Sequence, residues 1–176
     1  HQKAHRWDLF EYGILTRLLM EDETEDAELW RIGLPMLFPN VAVMSAGNTY
    51  HMQWAVPLDD TNTMLVSSRM YKFSHDIEVP KQDEITCYVH EWDMPDETGR
   101  PQLDMGTVQD NLIFVAQGEI ADRTKERLGD TDRGIILYRK LLKEQIEIVA
   151  DGGQPMNVFR DPERNISITL PEVKQY

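Results

Sequence analysis

TYHMQWAVPLDDTNTMLVSSRMYKF (Thr49–Phe73) decides the fold class. Two runs rich in β-branched, aromatic and apolar residues flank DDTNT (Asp59–Thr63), a cluster of turn formers. So short a connection joins antiparallel neighbours, because parallel strands need a long crossover. Alternation along Thr49–Leu58 points His51, Gln53 and Ala55 one way and Met52, Trp54 and Val56 the other. Both sets carry bulk, so this strand is expected to be covered on both faces. Polar His51 and Gln53 on a covered face need hydrogen-bond partners or a ligand.

The same reading extends upstream. Tyr12–Met20, Leu29–Pro39 and Asn40–Ala46 read as strands, with Gly47–Asn48 as a turn before Thr49. Successive short turns predict an antiparallel meander. HQKAH (His1–His5) places two imidazoles four apart, but at the start of the chain it reads as a frayed end rather than a metal site. Asp83–Trp92 is a further candidate strand. Met94–Gly106, rich in Pro, Gly and acids, reads as a mobile loop.

The last third reads as helix. Thr107–Gly118 has Thr107 as a candidate N-cap, Gln109 and Asp110 in its first turn, and Gly118 as its stop. Thr131–Gly153 is the clearest element. Ile135, Tyr138, Leu142, Ile146 and Val149 recur at helical spacing, and Ile136, Leu137, Leu141 and Ile148 widen that face. Asp130 or Thr131 caps its start, and Gly152–Gly153 ends it. A long helix packed deeply on an antiparallel sheet is an α+β layout. Asn165–Pro171 reads as a final strand or an extended tail.

Composition narrows the function classes. The chain has 176 residues, 41% of them hydrophobic, which suits one folded domain. A net charge of −13 repels phosphate backbones and argues against a nucleic-acid partner. EDETEDAE (Glu21–Glu28), which carries much of it, reads as a solvated loop or frayed helix. A single cysteine, Cys87, excludes an internal disulfide, a zinc cluster and an iron–sulfur cluster, and reads as a small buried hydrophobe. No apolar run is long enough to span a membrane, and no signal peptide opens the chain, so a cytoplasmic setting is expected and the NIS sequon at Asn165 carries little weight. No nucleophile elbow or phosphate-binding glycine loop is present. The chain opens without Met in mid-pattern, which suggests a piece of something longer.

Asp110 is the residue composition leaves undecided. An acid near a helix N-terminus is ordinarily a favourable partner of the helix dipole. A carboxylate with two histidines also makes the two-His, one-carboxylate iron site, which keeps positions open for oxygen. The residues alone offer no clear pair of partner histidines.

Several stretches in order carry a resemblance. Gln109–Asp110, Gly118, ADRTKERLG (Ala121–Gly129) and DTDRGIILYRKLL (Asp130–Leu142) are similar to the C-terminal end of the oxygenase alpha component of Rieske-type non-haem iron oxygenases, in the phthalate dioxygenase and aromatic O-demethylase branch. DGGQPMNVFRDP (Asp151–Pro162) and QWAVPLDDTNT (Gln53–Thr63) resemble it too. The resemblance covers nearly the whole chain and is weakest over Lys81–Met105.

That resemblance implies that residues 1–176 are the C-terminal segment of a catalytic domain with the helix-grip layout, a curved antiparallel sheet gripping a long C-terminal helix over a pocket. It implies that Asp110 is the carboxylate ligand of a mononuclear Fe(II). The two-His motif and the [2Fe-2S] Rieske domain lie outside this chain, and HQKAH has the wrong spacing to supply the histidines. The segment is then expected to be inactive alone. Implied partners are O₂, an aromatic substrate, a reductase or ferredoxin delivering NADH-derived electrons, and sister subunits of a homotrimer. The implied outcome is ring hydroxylation or oxidative O-demethylation. Phe38, Asn40 and Gln53, then His51, are the expected pocket residues. The competing readings are a metal-free helix-grip domain holding a hydrophobic small molecule, and a segment serving assembly through Asp130–Leu142.

Overall fold

The structure is a computed structural model that describes residues 1–46, 49–71, 81, 83–164 and 166–171. Its centre is a six-stranded antiparallel sheet in the order of the sequence: β1 (Gln2–Phe10), β2 (Gly13–Met20), β3 (Leu34–Leu37), β4 (Val41–Ala46), β5 (Thr49–Pro57) and β6 (Thr63–Tyr71). Three helices accompany it: α1 (Glu28–Arg31), α2 (Gly106–Ala116) and α3 (Arg133–Ala150). The expected meander and the α+β arrangement are present. The Gly47–Asn48 turn and the end of the expected strand at Lys72–Phe73 lie outside the described residues.

The β5–β6 hairpin shows how the turn sets register. Asp59 Oδ1 accepts from the backbone N–H groups of Thr61 and Asn62, each at 2.8 Å. This side-chain clamp closes the loop, so Pro57 pairs with Thr63 and every later rung follows, down to Thr49 with Tyr71. At the β1–β2 turn, Gly13 has φ +150°, and a Cβ there would fall on Met36 O and lie 2.8 Å from Phe38 N. Only glycine lets β2 and β3 approach this closely.

Paired residues share a face of a sheet. On one face Ile14 and Phe38 are buried against Leu141 of α3, and Trp7, Met36, Leu137, Tyr138, Leu142 and Met156 pack around them. Each such buried side chain contributes about 1.5–3 kcal/mol. Gly134 of α3 sits on the indole of Trp7: a Cβ there would lie 2.6 Å from Trp7 Cδ1. Two polar latches hold the layers together. Tyr138 Oη donates to Pro39 O at 3.0 Å, and Asn157 Nδ2 donates to Tyr12 O at 3.0 Å and to Phe38 O at 2.5 Å.

The other face buries Leu15, Leu19 and Val43. There α1 lies against β2. Arg17, only 12% exposed, donates to Asp8 Oδ2 at 2.6 Å, to Trp30 O at 3.0 Å and to Arg31 O. A cation thus meets the free carbonyls at the end of the helix, where positive charge is favourable.

Several expectations are corrected. HQKAH is not frayed: β1 pairs from Gln2 opposite Met20. Leu29–Pro39 is not one strand, because Gly33, at φ +81°, separates α1 from β3. Asp83–Trp92 forms no strand, and Cys87 within it is exposed, not buried: no described neighbouring strand pairs with the segment. The expected loop from Met94 is present up to the start of α2 at Gly106, and it closes on itself. Pro95 bridges Pro101, and Asp96 Oδ1 accepts from Thr98 N at 2.7 Å and Arg100 N at 3.0 Å. Residues 166–171 contain no strand, leaving the extended tail. Helix α3 packs through Leu137, Tyr138, Leu141 and Leu142, whereas Ile135, Ile136, Ile146, Ile148 and Val149 stay substantially exposed, so the expected deep packing holds for only part of its apolar face. Neither Asp130 nor Thr131 caps α3: both belong to a short 3-10 turn, and Asp132, the residue before the helix, turns its carboxylate to Gly129 N at 2.8 Å.

Candidate functional site

The strand register identifies which residues share the α3 side of the sheet. Ile14 pairs with Met36, Met36 with Ala42, Ala42 with Gln53 and Gln53 with Ser67. One step along β5, Met44 pairs with His51 and His51 with Arg69. His51 and Gln53 therefore occupy the face that meets α3, displaced toward β6. The face is divided. Over β1–β3 it is apolar and covered by α3. Over β5 and β6 it presents His51, Gln53, Ser67 and Arg69.

Where the face meets α3, an apolar cleft of about 250 Å³ is lined by Trp7, Ile14, Thr16, Met36, Ile135 and Tyr138. Its aromatic and thioether walls suit a flat apolar ring.

The expected pocket residues separate into two kinds. Phe38 is a core residue, 5% exposed, tilted against the ring of Tyr138 at 6.1 Å. Asn40 is a bracket: its Nδ2 donates to Ala55 O at 2.8 Å, and its own carbonyl accepts from Ala55 N at 3.0 Å. Gln53 and His51 stand on the polar half of the face. His51 Nε2 is buried and has no hydrogen-bond partner. Burial first, and the neighbouring Arg69 charge second, hold the imidazole below the ordinary histidine range, so it is neutral near pH 7. Ser67 and Arg69 were not singled out from the sequence. Counting outward from the Asp59–Asn62 turn would have found them, because the turn fixes which residues face His51 and Gln53.

Asp110 lies on α2, but not as expected. The residue before the helix is Met105 rather than Thr107, which places Asp110 beyond the first turn. Only Val108 of this helix is buried, whereas Ile113 (62%), Phe114 (60%) and Val115 (53%) are exposed. Asp110 is itself exposed. Gln109 Nε2 donates to Leu103 O at 2.5 Å, and Asn111 Nδ2 to Trp92 O at 2.9 Å. These bonds tether the helix to the preceding turn on either side of Asp110, whose carboxylate is left without a hydrogen bond or ion pair among the described residues. A free carboxylate is the right type of ligand for Fe(II). No cluster of three or more His, Cys, Asp or Glu side chains capable of holding a metal exists among the described residues. The described residues thus bring no complete ligand set to Asp110. His5 is stacked on Trp7 at 5.7 Å in β1, which accounts for it structurally.

The ADRTKERLG stretch is anchored rather than catalytic in form. Asp122 accepts from Thr124 N at 3.1 Å, and Arg139 of α3 donates to Glu126 at 2.8 Å. No described helix is long and apolar enough to cross a membrane.

No family model matches the chain. It is 32% identical over 166 residues to the 5,5'-dehydrodivanillate O-demethylase oxygenase subunit of Sphingobium sp.. The match covers 93% of this chain, which spans only 37% of that protein. Across almost its whole length, the chain is thus similar to part of the oxygenase subunit of an O-demethylase.

Proposed function

We propose that the chain is the C-terminal segment of the catalytic domain of a Rieske-type non-haem iron oxygenase, acting on an aromatic substrate by O-demethylation or ring hydroxylation. The observation that carries this reading is the 32% identity to an O-demethylase oxygenase subunit over 93% of the chain. The helix laid across an antiparallel sheet is compatible with a helix-grip domain. In this reading Asp110 supplies the carboxylate ligand of a mononuclear Fe(II), and the two histidine ligands and the [2Fe-2S] Rieske cluster come from the remainder of the polypeptide. When bound, the iron supplies the activation of O₂, with NADH-derived electrons arriving through a reductase or ferredoxin. The intact enzyme works as a homotrimer in the cytoplasm.

This chain's own task is to bind and orient. Trp7, Ile14, Thr16, Met36 and Tyr138 offer an apolar bed for a ring, while Gln53 and His51 offer polar contacts at its side. Phe38 and Asn40 act one layer behind, as the core residue and the bracket that hold β3, β4 and β5 in place.

Iron and acid-labile sulfide content of the intact polypeptide, beside its Asp110→Ala variant, tests the reading. About three irons and two sulfides per chain are expected, with one iron lost in the variant. No iron and no sulfide in either protein would sink it. A second reading then stands, a metal-free domain that binds a hydrophobic small molecule, favoured by the apolar cleft and by the lack of a metal-ligand cluster among the described residues.

A further inference from the structure

The apolar cleft under the start of α3 is a slot between a floor and a roof. Its floor is two ladder rungs, Trp7 with Thr16 and Ile14 with Met36. Its roof is the start of α3, through Gly134, Ile135 and Tyr138. None of the lining side chains is charged. The helix is held down on both sides of the slot. On the β1 side Gly134 rests on Trp7: a Cβ on Gly134 would lie 2.6 Å from Cδ1 and 2.7 Å from Cε2, over the five-membered ring, with Nε1 closer still. On the β3 side Tyr138 Oη donates to Pro39 O at 3.0 Å. His5 stacks with the same indole at 5.7 Å and helps to hold it in place. Gly134 is not there for backbone freedom, since it lies within α3 and glycine is among the poorest helix formers. What it contributes is an absent side chain, which lets the helix settle onto Trp7 at a separation that a Cβ would prevent. A slot of set height discriminates by thickness. A planar ring touches roof and floor together, whereas a globular molecule must lift the helix off Trp7 or break the Tyr138 bond.

We propose that Gly134, acting through Trp7, is a specificity-determining residue that sets the height of the cleft and selects planar, uncharged rings over globular ones. The proposal rests on the reading of this cleft as the bed of a substrate ring, and names the residue that fixes its shape.

The test uses 2-naphthol and 1-adamantanol, uncharged probes with the same number of carbons and a single hydroxyl that differ in thickness. Dissociation constants of the intact polypeptide are measured by titration calorimetry at about pH 7. The unaltered protein is expected to bind 2-naphthol about tenfold tighter than 1-adamantanol. Gly134→Ala wedges a methyl between helix and indole. It is expected to weaken 2-naphthol about tenfold and to change 1-adamantanol by no more than about twofold, so that the preference disappears. In a Trp7→Leu background the indole is gone, and Gly134→Ala should change the preference by less than about twofold. If Gly134→Ala does not fold, as judged by circular dichroism, Trp7→Leu alone decides: it lowers the floor and should cut the preference to about threefold or less. Equal affinity of the unaltered protein for the two probes overturns the proposal. So does no binding of either probe, or a folded Gly134→Ala variant that weakens both alike. An equal effect of Gly134→Ala with and without Trp7, or a Trp7→Leu variant that keeps the full preference, also overturns it. The oxygenase reading fails separately. A planar preference lost in Gly134→Ala, in a polypeptide without iron, keeps this role for Gly134 and sinks that reading. Iron lost on Asp110→Ala together with equal probe affinities does the reverse.

Discussion

The two long helices of this chain meet opposite fates. Helix α3 presses Leu141 into a core with Ile14 and Phe38, and is latched to the sheet by Tyr138. Helix α2 buries only Val108 and shows Ile113, Phe114 and Val115 to solvent. Helix α2 is the more apolar of the two and α3 the more amphipathic, so overall hydrophobicity does not decide which one is buried. What differs is the partner: α3 has a sheet face that fits it, whereas α2 is held mainly by hydrogen bonds from Gln109 and Asn111 to the turn before it. Stability is concentrated in the β1–β3 and α3 layers, while the proposed iron ligand rides on an element that contributes little to it.

Substitutions can break or sharpen that contrast. Gly13→Ala should have the largest effect. Its Cβ meets backbone on β3 and its φ of +150° is strained for any other residue, so a loss of about 4 kcal/mol or more, or no folded protein, is expected in urea denaturation. Leu141→Ala opens a cavity in the α3 core and should cost about 2–5 kcal/mol in the same assay. Gly134→Ala forces Trp7 aside, for about 1–3 kcal/mol, with a changed tryptophan emission as a second readout. By contrast, Phe114→Ser on α2 should change stability by no more than about 0.5 kcal/mol, and a cost near that of Leu141→Ala would dissolve the distinction between the helices.

The smallest effect concerns pH. The folded state lowers the His51 pKa, so the unfolded chain binds the extra proton first as pH falls. The stability tied to neutral His51 is fully present above the ordinary histidine pKa of about 6.5 and is lost as pH falls through the lower folded value. Stability measured between pH 7 and pH 5 should therefore decline less steeply in His51→Gln. An unchanged slope would show that His51 is not the group responsible.

The sheet was legible because its turns are local. DDTNT announces a hairpin, and Asp59 is the residue that makes it one. The long helix was legible from its period. What failed did so where structure depends on distant partners. Asp83–Trp92 has the composition of a strand but no described neighbour to pair with, and Cys87 is exposed with it. Leu29–Pro39 carries strand formers on both sides of Gly33, and only the positive φ there reveals a break. At the site, alternation placed His51 and Gln53 on one side of β5 but could not say which side α3 would choose. Arg69 and Ser67 emerge only once strand pairing is known.

The Asn157 latch bears on how the protein is made. Each strand of the sheet pairs with the one before it, so hairpins form as the chain lengthens. The amide that satisfies the carbonyls of Tyr12 and Phe38 belongs to residue 157, and the helix that covers Ile14 ends at Ala150. During synthesis, then, the meander is complete long before its apolar side is covered. A ribosome stalled near residue 120 would present a finished sheet with an uncovered face, a natural substrate for a holding chaperone. Release from such a chaperone would coincide with the emergence of α3 and Asn157 rather than with completion of the sheet.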